Sequence, residues 1–204
     1  MANTDRLTDH LKFEEACNLK RHLVDGKPHI GWGRSLQTKG LSDEELAHIG
    51  YEDEDDIHLI TQEQADYLFE NDIADAITEA ERACSAYWET LTDVRQEVLI
   101  SMAYNLGYTG LRKFRRMHAA LLMQDYTEAA KQILDSDAAR HQAPQRYRRL
   151  AEAMRTGEQS AFELENWTDG DPFIEVSEHL KAAELGNFTN QQLLDEMQRR
   201  LNER

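Results

Sequence analysis

The dipeptide Asp25-Gly26 is the feature that most narrows the folds open to this chain. It separates two strand-like segments, KRHLV and KPHIGWG, and Asp-Gly in that setting is a strong signal for a two-residue β-hairpin turn. Pro28 has no N–H to donate, which places its strand at a sheet edge or makes it irregular. A small antiparallel β-hairpin is therefore predicted near the N terminus.

Most of the remaining chain has helical patterns. Thr61 is a predicted N-cap, and apolar residues recur at helical spacing from Ala65 to Cys84. A capping-box pattern predicts a shorter helix over 41–50. Further helices or amphipathic segments are predicted over residues 3–14, 92–106 (closed by Gly107), 110–123, 126–135, 143–156, 173–185 and 189–202.

This order of elements predicts a mainly α (α+β) chain with two lobes. The predicted domain covers residues 1–165, and a linker with a helical extension follows over 166–204. Within the domain we expect a small hairpin lobe over about 13–60, a connecting helix over about 61–82 and a helical lobe over about 84–165. Clefts between two lobes are common ligand sites.

Composition excludes several classes of function. The net charge of −16 argues against a nucleic-acid partner, whose binding surface would be basic. The absence of a run of about 18 apolar residues argues against membrane insertion. The N terminus, MANTDRLTDHLKFEE, has no secretory pattern, so we expect synthesis in a cytoplasm without a signal peptide.

Neither a metal nor a cofactor is expected. Cys17 and Cys84 are too few for a disulfide scaffold and are expected to be free thiols. The acidic segment YEDEDDIH lacks the turn glycine and distal glutamate of a calcium loop, so it is interpreted as a solvated loop.

One arrangement in this chain suits the hydrolysis of a glycosidic bond, which requires a proton donor and a second group across the sugar. Glu15 lies at a predicted helix end, and the hairpin would bring Asp25 and His29 towards it. On the residues alone, a Glu-Glu pair at a helix terminus is more typical of solvated surface, so both interpretations stay open.

Five segments in one order carry a family resemblance, over about residues 7–158. They are LKFEEACNLK…DGKPHIGWG, ITQEQADYLFENDIADAI, VRQEVLISMAYNLGYTGLRKF, YTEAAKQIL and APQRYRRLAEAMRTGE. The chain resembles the tailed-phage endolysin lysozymes, family 24 of the glycoside hydrolases. This resemblance implies a two-lobed, phage-lysozyme-like fold. It also implies that the protein cleaves the β-1,4 bond between N-acetylmuramic acid and N-acetylglucosamine. Its partner would be the glycan strands of peptidoglycan. The protein would reach them after a membrane lesion or as a component of the virion.

The resemblance also implies roles for particular residues. Glu15 matches the general acid, and Arg146 matches an arginine that pairs with it from the other lobe. Tyr104 and Asn105 match an aromatic–amide pair that lines the saccharide groove.

A further match concerns an ion pair inside the small lobe. Asp72 matches a structural aspartate that pairs with a histidine after a Gly-x-Gly motif. Here GWGR supplies Arg34 instead, and an Arg34–Asp72 ion pair is expected in its place.

The hairpin departs from the family pattern. Pairing around the turn sets His22 opposite His29 and Val24 opposite Lys27. In that register Val24 occupies the position of the family's aspartate, Asp25 lies one residue later, and His29 stands where the family has threonine.

Three outcomes are open at this point. Asp25 acts from the turn while His29 orients or activates the water, or His29 itself becomes base or nucleophile. In the third outcome neither group is correctly placed, and the chain is a catalytically impaired lysozyme-fold protein that acts as a binding or structural partner in a phage system.

Charge and the C-terminal extension leave further alternatives. A chain at −16 would be repelled by anionic wall polymers, although basic segments at 111–116 and 146–149 would offset this if they face the substrate instead of solvent. The amphipathic segments within 173–202 would pack on the domain, bind a protein partner or self-associate.

Overall fold

The structure is a computed structural model that describes residues 4–163. These residues belong to a compact unit that ends at Glu163. The predicted linker and the segments 173–185 and 189–202 lie outside the described residues, and the lobe and domain boundaries given above stay predictions.

The sheet has three antiparallel strands in the order β1 (Asn18–Val24), β2 (Lys27–Gly31) and β3 (Arg34–Ser35). Asp25 and Gly26 join β1 to β2 with positive φ angles of 51° and 76°. A two-residue turn with both φ angles positive matches the right-handed twist of the strands it connects.

The register of this hairpin is the one that the turn predicts. His22 lies opposite His29, and Val24 lies opposite Lys27. A bulge in β1 separates this regular part from the pair at the base of the hairpin.

Two helices begin or end at the capping residues that the sequence predicts. Thr61 Oγ1 accepts a hydrogen bond from the N–H of Gln64, and Gln64 Oε1 accepts one from the N–H of Thr61, so the predicted N-cap is present as a full capping box. Gly50 ends its helix in the left-handed conformation. The helices are α1 (Thr4–Glu14), α2 (Asp43–Ile49), α3 (Gln62–Cys84), α4 (Asp93–Leu111), α5 (Arg115–Leu122), α6 (Tyr126–Leu134) and α7 (Pro144–Thr156).

The predicted helix over 110–123 is wrong in its first half. After a kink at Gly107 (φ 67°, ψ 172°), α4 resumes and ends only at Leu111. Residues 112–114 then form tight turns before α5 begins at Arg115. A π-helical turn, Ala138–Gln142, precedes α7 and was not predicted.

Two apolar cores flank the long helix α3. The small-lobe core lies between the sheet, α2 and the start of α3, and consists of Ile30, Leu36, Ile49, Ile57, Ile60, Ala65 and Leu68. In the helical lobe, α4 is buried on nearly all sides between Val94 and Ala103, packs against α3 and α7, and so forms the centre of the second core. The architecture is the mainly α fold with one small antiparallel sheet that the sequence predicts.

Within residues 4–163, the apolar stretches of the helices are too short or too charged for any helix to cross a bilayer.

Candidate active site

Glu15 is the first residue after α1, and its N–H still donates to the Leu11 carbonyl at 3.0 Å. The helix therefore fixes the backbone of Glu15 while its side chain turns away from the helical ladder. Its Oε1 accepts a hydrogen bond from Arg146 Nη1 at 2.5 Å. The Glu15 side chain is 22% exposed and that of Arg146 only 5%. A largely buried cation thus holds one oxygen of a partly exposed carboxyl group.

Arg146 is itself held from behind. Its Nη2 donates to both the carbonyl and the hydroxyl oxygen of Ser101, each at 3.2 Å. Its buried Nε has no partner among the described residues. Ser101 on α4 therefore orients the guanidinium through Nη2, and Nη1 donates to Glu15.

The second oxygen of Glu15 faces the backbone of Gly33. Gly33 has φ of 87°, and a Cβ added there would lie 3.3 Å from Glu15 Oε2. Both the left-handed conformation and the close approach favour glycine at this position. The second glycine of the Gly-x-Gly segment thus leaves room beside the carboxyl group.

Glu14 makes a different contact from its neighbour. Arg149 Nη2 donates to both Glu14 oxygens, at 2.7 and 2.9 Å, and Arg149 Nε donates at 3.0 Å. The two side chains are only 6% and 9% exposed. Sequence reasoning missed this pair, although two arginines one helical turn apart, matched to two adjacent glutamates, were a usable signal.

His10 lies one turn before Glu14 on α1 and is 8% exposed. Its ring contacts Phe162 with a centroid separation of 4.4 Å. Burial, together with the smaller effect of the Arg146 and Arg149 charges, lowers the pKa of His10 to about 3. Its buried Nε2 has no partner among the described residues. His10 is therefore a neutral imidazole beside the two arginines, and the sequence analysis did not identify it.

Trp32 connects the small lobe to α4. Its carbonyl accepts a hydrogen bond from Tyr104 Oη at 2.8 Å, and its Nε1 donates to Asp66 at 2.8 Å. Phe69 packs between the Trp32 and Tyr104 rings. Burial raises the pKa of Tyr104, and the charges of Asp72 and Glu15 add to that rise. Tyr104 is thus a rigid neutral group close to the charges of the site.

Asn105 is exposed, and its Oδ1 accepts a hydrogen bond from Tyr147 Oη at 2.9 Å. Because the oxygen is engaged, the amide NH₂ is the part of Asn105 directed away from Tyr147. The two groove residues implied by the resemblance therefore differ, since Tyr104 is half-buried and Asn105 offers its donor at the surface.

Arg34 and Asp72 form the expected ion pair, with Arg34 Nε 2.9 Å from Asp72 Oδ1. The structure adds a third member that was not predicted. Glu45 on α2 accepts a hydrogen bond from Arg34 Nη2 at 2.6 Å. Burial alone would raise the pKa of Glu45, but hydrogen bonds from Arg34, Ser42 and Asn71 outweigh it and lower this pKa to about 2. Arg34 therefore links β3 to both α2 and α3.

The hairpin tip presents Asp25 and Val24 to solvent, with Val24 46% exposed. His29 is half-buried, and its Nδ1 lies 2.9 Å from the Lys27 carbonyl. Within residues 4–163, Glu15 makes its side-chain hydrogen bond to Arg146, and neither Asp25 nor His29 bonds to it. The structure brings Glu15 and Arg146 together but leaves the two hairpin candidates without such a contact.

The basic segment 146–149, which would offset the charge repulsion if it faced the substrate, has two of its three arginines buried. Arg146 and Arg149 are buried in ion pairs with Glu15 and Glu14, which neutralise them. The other basic segment behaves differently, because Lys113, together with residues 115 and 116, lines a cavity of about 690 Å³ in the helical lobe.

One family model and two curated relatives match this chain. The phage lysozyme family model matches residues 12–152. The chain is 29% identical over 139 residues to the pre-baseplate central spike protein Gp5 of Enterobacteria phage T4, a match that covers 64% of this chain and about a quarter (24%) of Gp5. It is 25% identical over 167 residues to the probable T4-type lysozyme 1 of Dictyostelium discoideum, covering 76% of this chain and 97% of that protein.

Proposed function

The chain belongs to the phage lysozyme family, and from that premise we propose that it is a muramidase. It hydrolyses the β-1,4 bond between N-acetylmuramic acid and N-acetylglucosamine in peptidoglycan glycan strands. Glu15 protonates the leaving oxygen, and a group on the hairpin assists from the other side of the sugar.

The observation that carries this proposal is the unequal environment of the two Glu15 oxygens. Arg146 holds Oε1, and Oε2 lies beside the bare Cα of Gly33 in a side chain that is 22% exposed. A general acid must be fixed in orientation and still reach its substrate. Glu15 meets both conditions, whereas Glu14, gripped through both oxygens, meets only the first.

His29 is the better candidate for the second catalytic group. Its Nδ1 lies against the Lys27 carbonyl, which can only accept, so in the neutral ring Nε2 is free to take a proton or attack. Asp25 is the alternative, acting from the exposed turn. Tyr104 and Asn105 would line the saccharide groove.

The Arg34–Asp72 pair is assigned a structural role in this proposal. It holds the strand that follows Gly33 against α3 and α2, and so keeps the backbone beside Glu15 in place. Neither residue is expected to touch substrate.

The biological setting follows from the same family. The enzyme would act on the cell wall either in host lysis after a membrane lesion or as part of a phage particle. Similarity to a protein named as a central spike favours the particle, and similarity to a protein named as a T4-type lysozyme fits either setting.

A turbidity assay on purified peptidoglycan tests the main proposal. Wild type is expected to clear the suspension, and Glu15→Gln is expected to reduce the rate by about 10²–10⁴-fold, because the amide cannot donate a labile proton. Glu70→Gln, an exposed glutamate on α3, is the matched control and should clear at the wild-type rate. Equal rates for wild type and Glu15→Gln would refute the assignment of the acid.

The two hairpin candidates are separated by His29→Asn and Asp25→Asn. If His29 is the second group, only His29→Asn loses clearing, and the reverse pattern assigns Asp25. The anomer of the first product, read by NMR, then distinguishes a base that activates water (inversion) from a nucleophile (retention).

A second candidate function rests on Val24, which stands exposed in the register where the family has its aspartate. In that case the chain is a lysozyme-fold binding or structural protein. It would co-sediment with peptidoglycan or a phage protein, and the wild type would never clear the suspension.

A further inference from the structure

His22 and His29 form a cross-strand pair on the hairpin. They are directly opposite one another in the β1–β2 register, so their side chains project from the same face of the sheet. Their ring centroids lie 6.2 Å apart, and both residues are half-buried. Two imidazoles are therefore held side by side by backbone hydrogen bonding between the strands.

Both rings are oriented by the same kind of contact. His22 Nδ1 lies 3.1 Å from the Lys20 carbonyl, and His29 Nδ1 lies 2.9 Å from the Lys27 carbonyl. A carbonyl oxygen only accepts, so in each neutral ring Nδ1 carries the proton and Nε2 carries the lone pair. A hydrogen bond from the far ring nitrogen to a backbone carbonyl is the usual support of a metal-binding histidine.

The separation of the rings suits a shared ion. Two imidazoles bound to one tetrahedral ion at about 2.0–2.1 Å place their centroids about 5 Å apart. The observed 6.2 Å exceeds this by about 1 Å, so the two rings have to approach each other when they share an ion.

We propose that His22 and His29 chelate a divalent transition-metal ion through their Nε2 atoms, with zinc as the reference ion. Imidazole nitrogens favour zinc, nickel and copper over magnesium and calcium. Among residues 4–163, no group of three or more His, Cys, Asp or Glu is arranged to hold a metal. The site is therefore a two-histidine chelate whose other positions are filled by water or by a substrate group.

Neighbouring charges set the strength of this site. Lys27 lies two residues before His29 in β2, so its side chain projects from the same face. Its ammonium group repels a cation, while the chain's net charge of −16 attracts it at longer range. Removing the Lys27 charge should therefore strengthen binding, by about twofold for a divalent ion roughly 8 Å away once screening at physiological salt is included.

A bound ion would also occupy Nε2 of His29, the atom that the proposed hydrolysis uses. This consequence rests on the proposed function, whereas metal binding does not. Binding is therefore measured without substrate, so that failure of the site and failure of the muramidase proposal give different results.

Isothermal titration of the full chain with ZnCl₂ is the direct test. Wild type should bind one zinc ion, and His22→Asn and His29→Asn should each weaken binding by about tenfold or more. His141→Asn, an exposed histidine in the helical lobe, is the matched control and should leave binding unchanged. Lys27→Gln should bind more tightly than wild type, which a loss of folding cannot imitate.

Protection from chemical modification tests the site in the wild-type protein alone. Zinc should slow acylation of His22 and His29 by diethyl pyrocarbonate, read by peptide mass spectrometry, and should leave His141 unprotected. No zinc binding, binding that survives both hairpin substitutions, or equal protection of all three histidines would overturn the proposal.

Discussion

Two arginines in this protein hold carboxylates in different ways. Arg34 in the small lobe is 2% exposed in its side chain and donates to Asp72, Glu45 and the Gly40 carbonyl. Arg146 in the helical lobe makes one hydrogen bond to Glu15, and its other contacts go to Ser101.

The difference separates a structural network from a site prepared for chemistry. The two carboxylates around Arg34, those of Asp72 and Glu45, are only 9% and 10% exposed. Water could therefore not replace the Arg34 charge if it were removed. Glu15 keeps 22% of its surface and one oxygen free of Arg146. A carboxyl group that is held but still accessible can exchange a proton with a substrate, and a fully enclosed one cannot.

The strongest test of this comparison is Arg34→Met against Arg146→Met. Arg34→Met should lower the free energy of unfolding by about 3–5 kcal/mol, because it removes the counter-charge of the nearly buried Glu45, while Asp72 keeps its ion pair with Lys39. Arg146→Met should cost less, because water can reach Glu15. Urea unfolding at neutral pH measures both, and equal losses would contradict the distinction.

The neighbouring glutamates give a finer version of the same test. Glu14→Gln should lower the free energy of unfolding by about 1.5–3 kcal/mol, since it removes the charge from a closed Arg149 pair. Glu15→Gln should cost less than Glu14→Gln in the same urea titration, although it removes the clearing activity. A larger stability loss for Glu15→Gln would mean that Glu15 is structural.

His10 predicts a pH dependence beside the Arg146 site. Its pKa falls from 6.5 to about 3 on folding, so the unfolded chain binds the additional proton and stability declines as the pH falls below 6.5. Between pH 7 and pH 5 this amounts to about 2 kcal/mol, at about 1.4 kcal/mol per pH unit.

The measurement is urea unfolding at both pH values for wild type and for His10→Phe. The variant should lack this part of the decline. Glu45 has a pKa of about 2, so the stability that it contributes is lost only below about pH 4.5, and this loss is the same in both proteins. Parallel pH profiles would show that His10 is protonated in the folded state.

The smallest effect concerns an arginine with neutral partners. Arg95 stacks 3.5 Å above the Tyr126 ring and donates to the Met154 carbonyl at 2.9 Å near the end of α7. Arg95→Met should lower the free energy of unfolding by about 1 kcal/mol, because no charged group is stranded. A loss as large as that of Arg34→Met would break the distinction between charged and neutral partners.

Local patterns in the sequence predicted a large part of the fold. The Asp25-Gly26 turn fixed the hairpin register, and the caps at Thr61 and Gly50 fixed helix ends. These features depend on residues within a few positions of one another, so a single sequence displays them. The break at 112–114 was missed because α4 continues past the kink at Gly107 and its helical pattern gives no stop signal at Leu111.

The candidate site was predictable only where the family resemblance supplied its long-range pairs. Glu15 and Arg146 lie 131 positions apart in the sequence, and Glu14 and Arg149 lie 135 apart. The first pair came from the resemblance, and the second was missed. The neutral state of His10 was missed as well, because it follows from burial against Phe162 and two arginines.

The sequence by itself thus determined the hairpin, its cross-strand partners and the capped helices, since turn geometry and helix capping act between near neighbours. Only the tertiary structure decided which glutamate is enclosed and which stays accessible. The physical reason is that Glu14 at the end of α1 and Glu15 just after it meet two arginines of α7 at different degrees of burial, and burial is a property of the packed molecule.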